Sequence, residues 1–245
     1  MKIKTVIKKL ITICLITIIC VCGYRIYNTL NEYQKSDSLY SDLRKQKEAN
    51  LSKNNTNSNT ENSSTVNTID LSSVSKDFVC WINIENTNID YPVVQGNDNS
   101  YYLHRDIYGN YLYAGTVFLD YRDDYNNSKN LIIYGHNMKN TTMFSQLEKF
   151  NQESFFKSNP TITLTDKNGE KNYEVFAVLL VKKDYAYTIP NFNNDDEYNK
   201  FLNKIVDDSI FSTQNKPTSS DRILTLSTCS YEFDDARTVV FCKEK

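Results

Sequence analysis

Arg222-Ile223-Leu224-Thr225-Leu226-Ser227-Thr228-Cys229 lies near the C-terminus, and Arg237 follows eight residues past the cysteine. Leu224 and Leu226 alternate with Thr225 and Ser227, and the run is rich in β-formers, so it reads as a strand that ends on Cys229. A second β-rich run, Arg237 to Cys242, follows the acidic turn Glu232 to Asp235. Two neighbouring strands with so short a connection would bring Arg237 towards Cys229. A guanidinium near a thiol favours the thiolate, and its fork of donors can hold a carbonyl oxygen as negative charge develops on it. Taken alone, the two residues read equally well as a buried structural Cys beside a solvated Arg.

Upstream, the same period-2 grammar recurs. Phe78 to Ile84 and Ile89 to Gln95 are two β-rich runs separated by Glu85 to Asn88, an early hairpin or bend. Pro92 marks the second as an edge strand or a bulged one. Asn97 to Tyr108 reads as a short helix or loop, Gly115 to Asp120 and Asn130 to Tyr134 as strands, and Met143 to Phe150 as a short helix. Thr161 to Thr165 and Tyr173 to Val181 flank Lys167-Asn168-Gly169-Glu170, whose Asn-Gly pair signals a hairpin. In Asn194 to Phe211, Tyr198, Phe201, Leu202, Ile205 and Ile210 recur at helical spacing; Asn194 can cap the helix, and Asp195 and Asp196 suit its positive end. About eight strands with one substantial late helix imply a mostly β chain, a closed or nearly closed barrel with helical insertions.

The first 68 residues have a different character. Residues 10–24 are apolar, preceded by Lys2, Lys4, Lys8 and Lys9 and followed by Arg25. A cleaved signal peptide would want a small-x-small site, which Val21-Cys22-Gly23-Tyr24 supplies poorly, and a lipoprotein signal a small residue directly before its Cys. Counted through Tyr27, the helix would be roughly 27 Å long, enough to span a bilayer. Residues 1–27 therefore read as a cytoplasmic tip and an uncleaved anchor, with the remainder outside by the positive-inside rule. Residues 28–68 read as a stalk, partly amphipathic in its helical part over 26–49, then an Asn/Ser/Thr linker from Asn50 to Thr68. The folded domain is expected over 69–245.

The chain has 245 residues, is 40% hydrophobic and carries a net charge of −2, which gives no footprint for nucleic acid. Its 18 Tyr and 12 Phe against only 6 Gly favour a packed β-rich core. Two histidines narrow the search for a base. His136 follows the apolar strand Asn130 to Tyr134 in a Gly-His-Asn turn, where a strand end meets solvent; His104, in Leu103-His104-Arg105-Asp106, reads as a surface residue in a helical turn. Of six cysteines, Cys14, Cys20 and Cys22 belong to the apolar anchor. Cys80 and Cys242 sit in strands as core residues, with a disulfide between them left open. Cys229 is left as the thiol placed for attack. No CxxC or HxxxH spacing marks a zinc site, so no metal is expected.

The motif Thr-Leu-Ser-Thr-Cys229 with Arg237, the upstream Tyr134-Gly135-His136, and Trp81-Ile82-Asn83-Ile84 followed by Asp90-Tyr91-Pro92-Val93-Val94-Gln95 together resemble a sortase, and within that family class B. The similarity runs from about Ile69 to the C-terminus, and the long helix Asn194 to Phe211 between the sixth and seventh strands is the feature that separates class B from class A. The resemblance implies an eight-stranded barrel with an N-terminal helix and no cofactor. It implies a cysteine transpeptidase of a Gram-positive cell membrane that cuts a C-terminal sorting signal, of the NPxTN or PxTG kind, after Thr. Through a thioacyl intermediate the surface protein is then joined to a cell-wall peptide amine. By position, Cys229 would be the nucleophile, His136 the acid/base, Arg237 the oxyanion and orienting group, and Asn99, Leu103, Ser227 and Thr228 the groove. A papain-like Cys/His endopeptidase, with its Cys first in the chain and at a helix N-terminus, and a tethered non-catalytic binding module are the competing readings.

Overall fold

The computed structural model describes residues 2–56, 67–158 and 160–245. A single helix, α1 (Lys2–Thr56), leads into eight strands: β1 (Phe78–Ile84), β2 (Asp90–Gln95), β3 (Val117–Leu119), β4 (Asn130–Tyr134), β5 (Ile162–Asp166), β6 (Gly169–Lys182), β7 (Ile223–Cys229) and β8 (Ala236–Glu244). They close into a barrel in the order β1-β2-β3-β4-β7-β8-β6-β5. Two helices interrupt them, α2 (Glu153–Ser158) and α3 (Asp195–Asp207), and short 3-10 helices lie at Tyr101–His104 and Ser145–Asn151. Closure leaves no exposed edge along the ladder.

The alternation seen in the sequence separates two packed layers. Leu224 and Leu226 of β7 and Val240 and Cys242 of β8 join the main core, whereas Ile223, Val239 and Phe241 face a second cluster built on α3. Tyr198, Phe201, Leu202 and Ile205 carry α3 onto that outer face, each contributing roughly 1.5–3 kcal/mol by burial. Asn194 caps α3 by accepting from the Glu197 N–H at 2.9 Å, and Asp195, Asp196 and Glu197 complement its first turn. The helix ends at Asp207, short of the sequence expectation of Phe211; Asp208 is its C-cap and Ser209 N–H closes back on Val206.

Three further expectations are corrected. Pro92 does not mark an edge: β2 is an interior strand, pairing with β1 on one side and, from Val93 onwards, with β3 on the other. Pro92 sits one residue before the β3 ladder begins, so its missing N–H costs nothing there, and the bulge lies instead on β1 between Phe78 and Cys80. The helix anticipated from Met143 starts at Ser145, because Thr141 and Met143 both hold positive φ, at 63° and 56°, which a helix excludes. The Asn-Gly hairpin does form, Asp166 pairing with Gly169 across it, and β6 extends four residues further back than Tyr173.

α1 runs unbroken through the apolar segment and the stalk, reaching Thr56 inside the tract expected to be linker; residues 57–66 of that tract lie outside the described residues. Its apolar stretch is unburied and long and apolar enough to cross a membrane, whereas Ser36, Tyr40 and Leu43 are buried against the barrel. Tyr40 donates to the Gly115 carbonyl, and Lys47 pairs with Asp90 at 2.6 Å. Gly115 is required at φ +60°, since a Cβ there would collide with the Leu103 and Tyr102 carbonyls.

Candidate active site

Register places the three candidate residues. β4 and β7 are parallel, with Tyr134 opposite Ser227, so two residues further along, His136 and Cys229 emerge at the same end of adjacent strands. β7 and β8 are antiparallel, with Cys229 directly opposite Arg237. Period 2 puts Cys229 on the face of Thr225 and Ser227, the outer side of the barrel and away from Leu224 and Leu226. His136, Cys229 and Arg237 thus line one cavity of about 290 Å³, walled by Asn99 and Leu103 on one flank and by Lys183 and Tyr187 on the other.

The ends of β4 and β7 are stitched together. Gly135 N–H donates to the Ser227 carbonyl at 3.2 Å and Thr228 Oγ1 to the Gly135 carbonyl at 2.8 Å. Asn137 Nδ2 donates to the Cys229 carbonyl at 2.9 Å and to Glu148 at 2.7 Å. Gly135 has no room for a side chain, because a Cβ would lie 2.6 Å from the Phe144 ring. The Gly-His-Asn turn is therefore a clamp: Gly lets Phe144 pack, His enters the cavity, and Asn holds the backbone of Cys229.

His136 is half-buried, and its Nε2 lies 2.7 Å from the Leu103 carbonyl. A carbonyl only accepts, so the proton sits on Nε2 and Nδ1 is left as the acceptor. Burial holds the His136 pKa below its ordinary value; the Leu103 carbonyl pulls it up and His104 pushes it down again. His104 is exposed at the end of its 3-10 turn, as expected, but its ring stacks on His136 at 5.4 Å between centroids. Arg237 donates to the Ala236 carbonyl at 3.0 Å, and among the described residues no carboxylate forms an ion pair with it. Its remaining donors are free for a ligand.

The groove residues are all at the cavity, in different states. Asn99 is tied at both ends, donating to Asp120 at 2.9 Å and accepting from Tyr121 N–H at 3.0 Å. Ser227 and Thr228 are buried with their hydroxyls engaged, Ser227 to Tyr187 at 2.8 Å. Leu103 contributes its carbonyl to His136 as well as its side chain to the wall. Sequence reasoning missed Tyr187, Lys183, Phe118 and Tyr134. Tyr187 lies in the connection between β6 and α3, held against β4 by Asn130, which donates to the Ile189 carbonyl at 3.0 Å. Nothing local to Tyr187 in the sequence signals this role. Beneath the floor, Asp120 is fully buried and receives Arg122, Asn99 and Tyr134; burial would raise its carboxyl, yet these donors hold it below the usual range. Cys80 and Cys242 are free, buried thiols, and burial pushes both up and away from reactivity. Among the described residues no group of three metal-ligating side chains occurs.

Residues 82–245 match the Sortase domain family. Over 237 residues the chain is 34% identical to Sortase B of Listeria monocytogenes, covering 96% of this chain and 94% of that protein. Among solved structures, Clostridium perfringens sortase B is 40% identical over 71% of this chain and 97% of its own, with a TM-score of 0.69. The Staphylococcus aureus sortase B-substrate complex is 30% identical over 87% of this chain and 98% of its own, with a TM-score of 0.77.

Proposed function

This chain belongs to the sortase family and to its class B, and from that membership we propose how its site carries out transpeptidation of surface proteins that bear a sorting signal. The observation that carries the reading is the opposition of Cys229 and Arg237 at a cavity that His136 also enters. The Cys229 thiol passes its proton to His136 Nδ1, and the sulfur attacks the carbonyl carbon of a Thr in the signal. Arg237 donors hold the oxygen as it becomes negative, and His136 returns the proton to the departing amine as the C–N bond breaks. The product is a thioester between Cys229 and the Thr acyl group. A peptidoglycan-type amine then attacks it, giving its proton to His136, and the thiol is regenerated. Asn99, Leu103, Ser227 and Thr228 shape the groove for an NPxTN-like or PxTG-like segment, the last two chiefly through backbone and packing because their hydroxyls are already engaged.

No step calls for a cofactor. Residues 1–27 serve as a cytoplasmic tip and a single-pass anchor formed by the apolar part of α1, with the barrel of residues 69–245 outside. The order His before Cys, with the Cys ending a strand, separates this site from papain-like peptidases, and a cavity joining Cys, His and Arg favours catalysis over passive binding. The test is incubation of the full chain with a library of sorting-signal peptides and an acceptor amine, read by mass spectrometry. Cleavage after Thr with a Cys229-linked acyl adduct is expected, and neither should appear with Cys229→Ala. Turnover that survives Cys229→Ala would refute the assignment.

A further inference from the structure

The contacts of α1 fix the height of the barrel above the membrane, an argument that rests on the anchor reading given above. Gly115 accepts from Tyr40, whereas Tyr113 N–H reaches Glu32 at 3.5 Å and the Tyr111 carbonyl accepts from Lys35 at 2.9 Å. The Tyr111–Tyr113 segment therefore lies along α1 at the level of residues 32–35, on the membrane side of the Tyr40 contact. Glu32 is five residues past Tyr27, about 7–8 Å above the end of the apolar span, where the headgroup layer is itself roughly 5–8 Å thick.

At this lowest level the loop presents tyrosines. Tyr108, Tyr111 and Tyr113 are exposed, as is Tyr231 from the β7–β8 turn, at 47–67% of their surface. Tyr231 belongs to the same ridge: desolvation first, then the neighbouring Cys229, Tyr113, Glu148 and Tyr33 side chains, raises its phenol. Its hydroxyl donates to the Asn137 carbonyl at 3.2 Å, so it also borders the catalytic clamp. Tyr111 and Tyr113 lean on the His104 ring yet keep about half of their surface open, and an amphipathic ring with a polar tip suits the boundary between headgroups and acyl chains.

We propose that the ridge of Tyr108, Tyr111, Tyr113 and Tyr231 rests on the lipid headgroup surface beside α1, so that the Cys229 cavity opens at membrane level. Charges around the ridge are of both signs, Lys35 at the Tyr111 carbonyl and Glu32 at the Tyr113 N–H, so the contact is aromatic rather than electrostatic and tolerates salt.

The chain has one tryptophan, Trp81, which is buried and serves as an internal baseline. The full chain is reconstituted in phosphatidylcholine vesicles containing lipids brominated near the headgroup end of the acyl chains, and fluorescence is compared for wild type, Tyr111→Trp and Ile16→Trp. The expectation is that Ile16→Trp and Tyr111→Trp are both quenched relative to wild type, with the Tyr111→Trp signal unchanged at 0.5 M salt. If Ile16→Trp is quenched and Tyr111→Trp is not, α1 is inserted and the ridge stands clear, which overturns the proposal while leaving the anchor intact. If neither is quenched, the anchor reading itself fails and the proposal with it. Protection of Tyr111→Trp that depends on protein concentration and ignores bromolipid would assign the ridge to a second copy of the chain, and that too overturns it.

Discussion

Cys229 and Arg237 are directly opposed residues at the open end of the β7–β8 ladder. Opposed residues project to the same face with Cβ atoms about 4.5–5.5 Å apart, so the backbone register alone sets the guanidinium beside the thiol. In the proposed mechanism the Arg237 donors meet developing charge, so Arg237→Ala should lower kcat by about 10²–10³ with a smaller change in KM. Arg237→Lys keeps the charge but loses the fork, and recovers only part of the rate. Steady-state peptide cleavage checks both, and a kcat indifferent to Arg237→Ala would remove it from the oxyanion role.

Asn137 is expected to matter although it touches no reacting atom. Its amide joins the Cys229 carbonyl to Glu148, so Asn137→Ala frees the end of β7 and leaves a carbonyl unpaired. A loss of about 1–3 kcal/mol corresponds to a fall in kcat/KM of about 5- to 150-fold. The variant should still bind substrate peptide, since a merely unfolded site would lose binding as well. Calorimetric titration of a Cys229→Ala, Asn137→Ala double variant separates the two outcomes.

His136 should titrate below 6.5, because burial disfavours its cationic form and the stacked His104 adds to this. The sign follows: the native state binds this proton less tightly than the unfolded chain, so the contribution to stability is intact above 6.5 and is lost as pH falls through the folded value. In the proposed mechanism neutral His136 takes the thiol proton, so kcat/KM should fall over the same window. His104→Gln removes one of the depressing neighbours and should move the limb to higher pH. With only two histidines in the chain, NMR titration of the imidazole Cε1–H reads the shift directly; a downward displacement would contradict the geometry.

What was legible in the sequence was whatever local pattern controls. Alternation in Leu224-Thr225-Leu226-Ser227 marked β7, the Asn-Gly pair marked the β5–β6 turn, and Asn194 with its acidic first turn marked α3. That His136, Cys229 and Arg237 would meet was legible because each lies at or just beyond a strand end, where register converts sequence position into space. Tyr187 and Asn137 were not, since their roles depend on which strands become neighbours: β4 beside β7, and the β6–α3 connection folded over both. Pro92 misled because propensity cannot tell an edge from an interior position one residue short of its ladder. The tyrosine-rich stretch Tyr108 to Tyr113 carried no periodic signal, and its placement emerges only from where the loop meets α1.

Asp123 gives a stability test independent of catalysis. It is buried; one carboxylate oxygen accepts the Ile132 N–H at 2.7 Å, and the other has no partner among the described residues. Burial, reinforced by nearby Asp120 and opposed by the Ile132 bond, Arg122 and Arg222, raises its pKa to about 7 from 3.8. The native state therefore binds this proton more tightly than the unfolded chain, so stability declines as pH rises from about 4 to about 7 and then levels off. Asp123→Asn keeps the shape and the acceptor for Ile132 but cannot ionise. Relative to wild type it should gain little at pH 4 and on the order of 1–4 kcal/mol at pH 8. Denaturant unfolding of the detergent-solubilised chain at pH 4, 6 and 8 measures that gap; a difference constant across the series would mean that Asp123 is no more reluctant to ionise in the fold than in the unfolded chain.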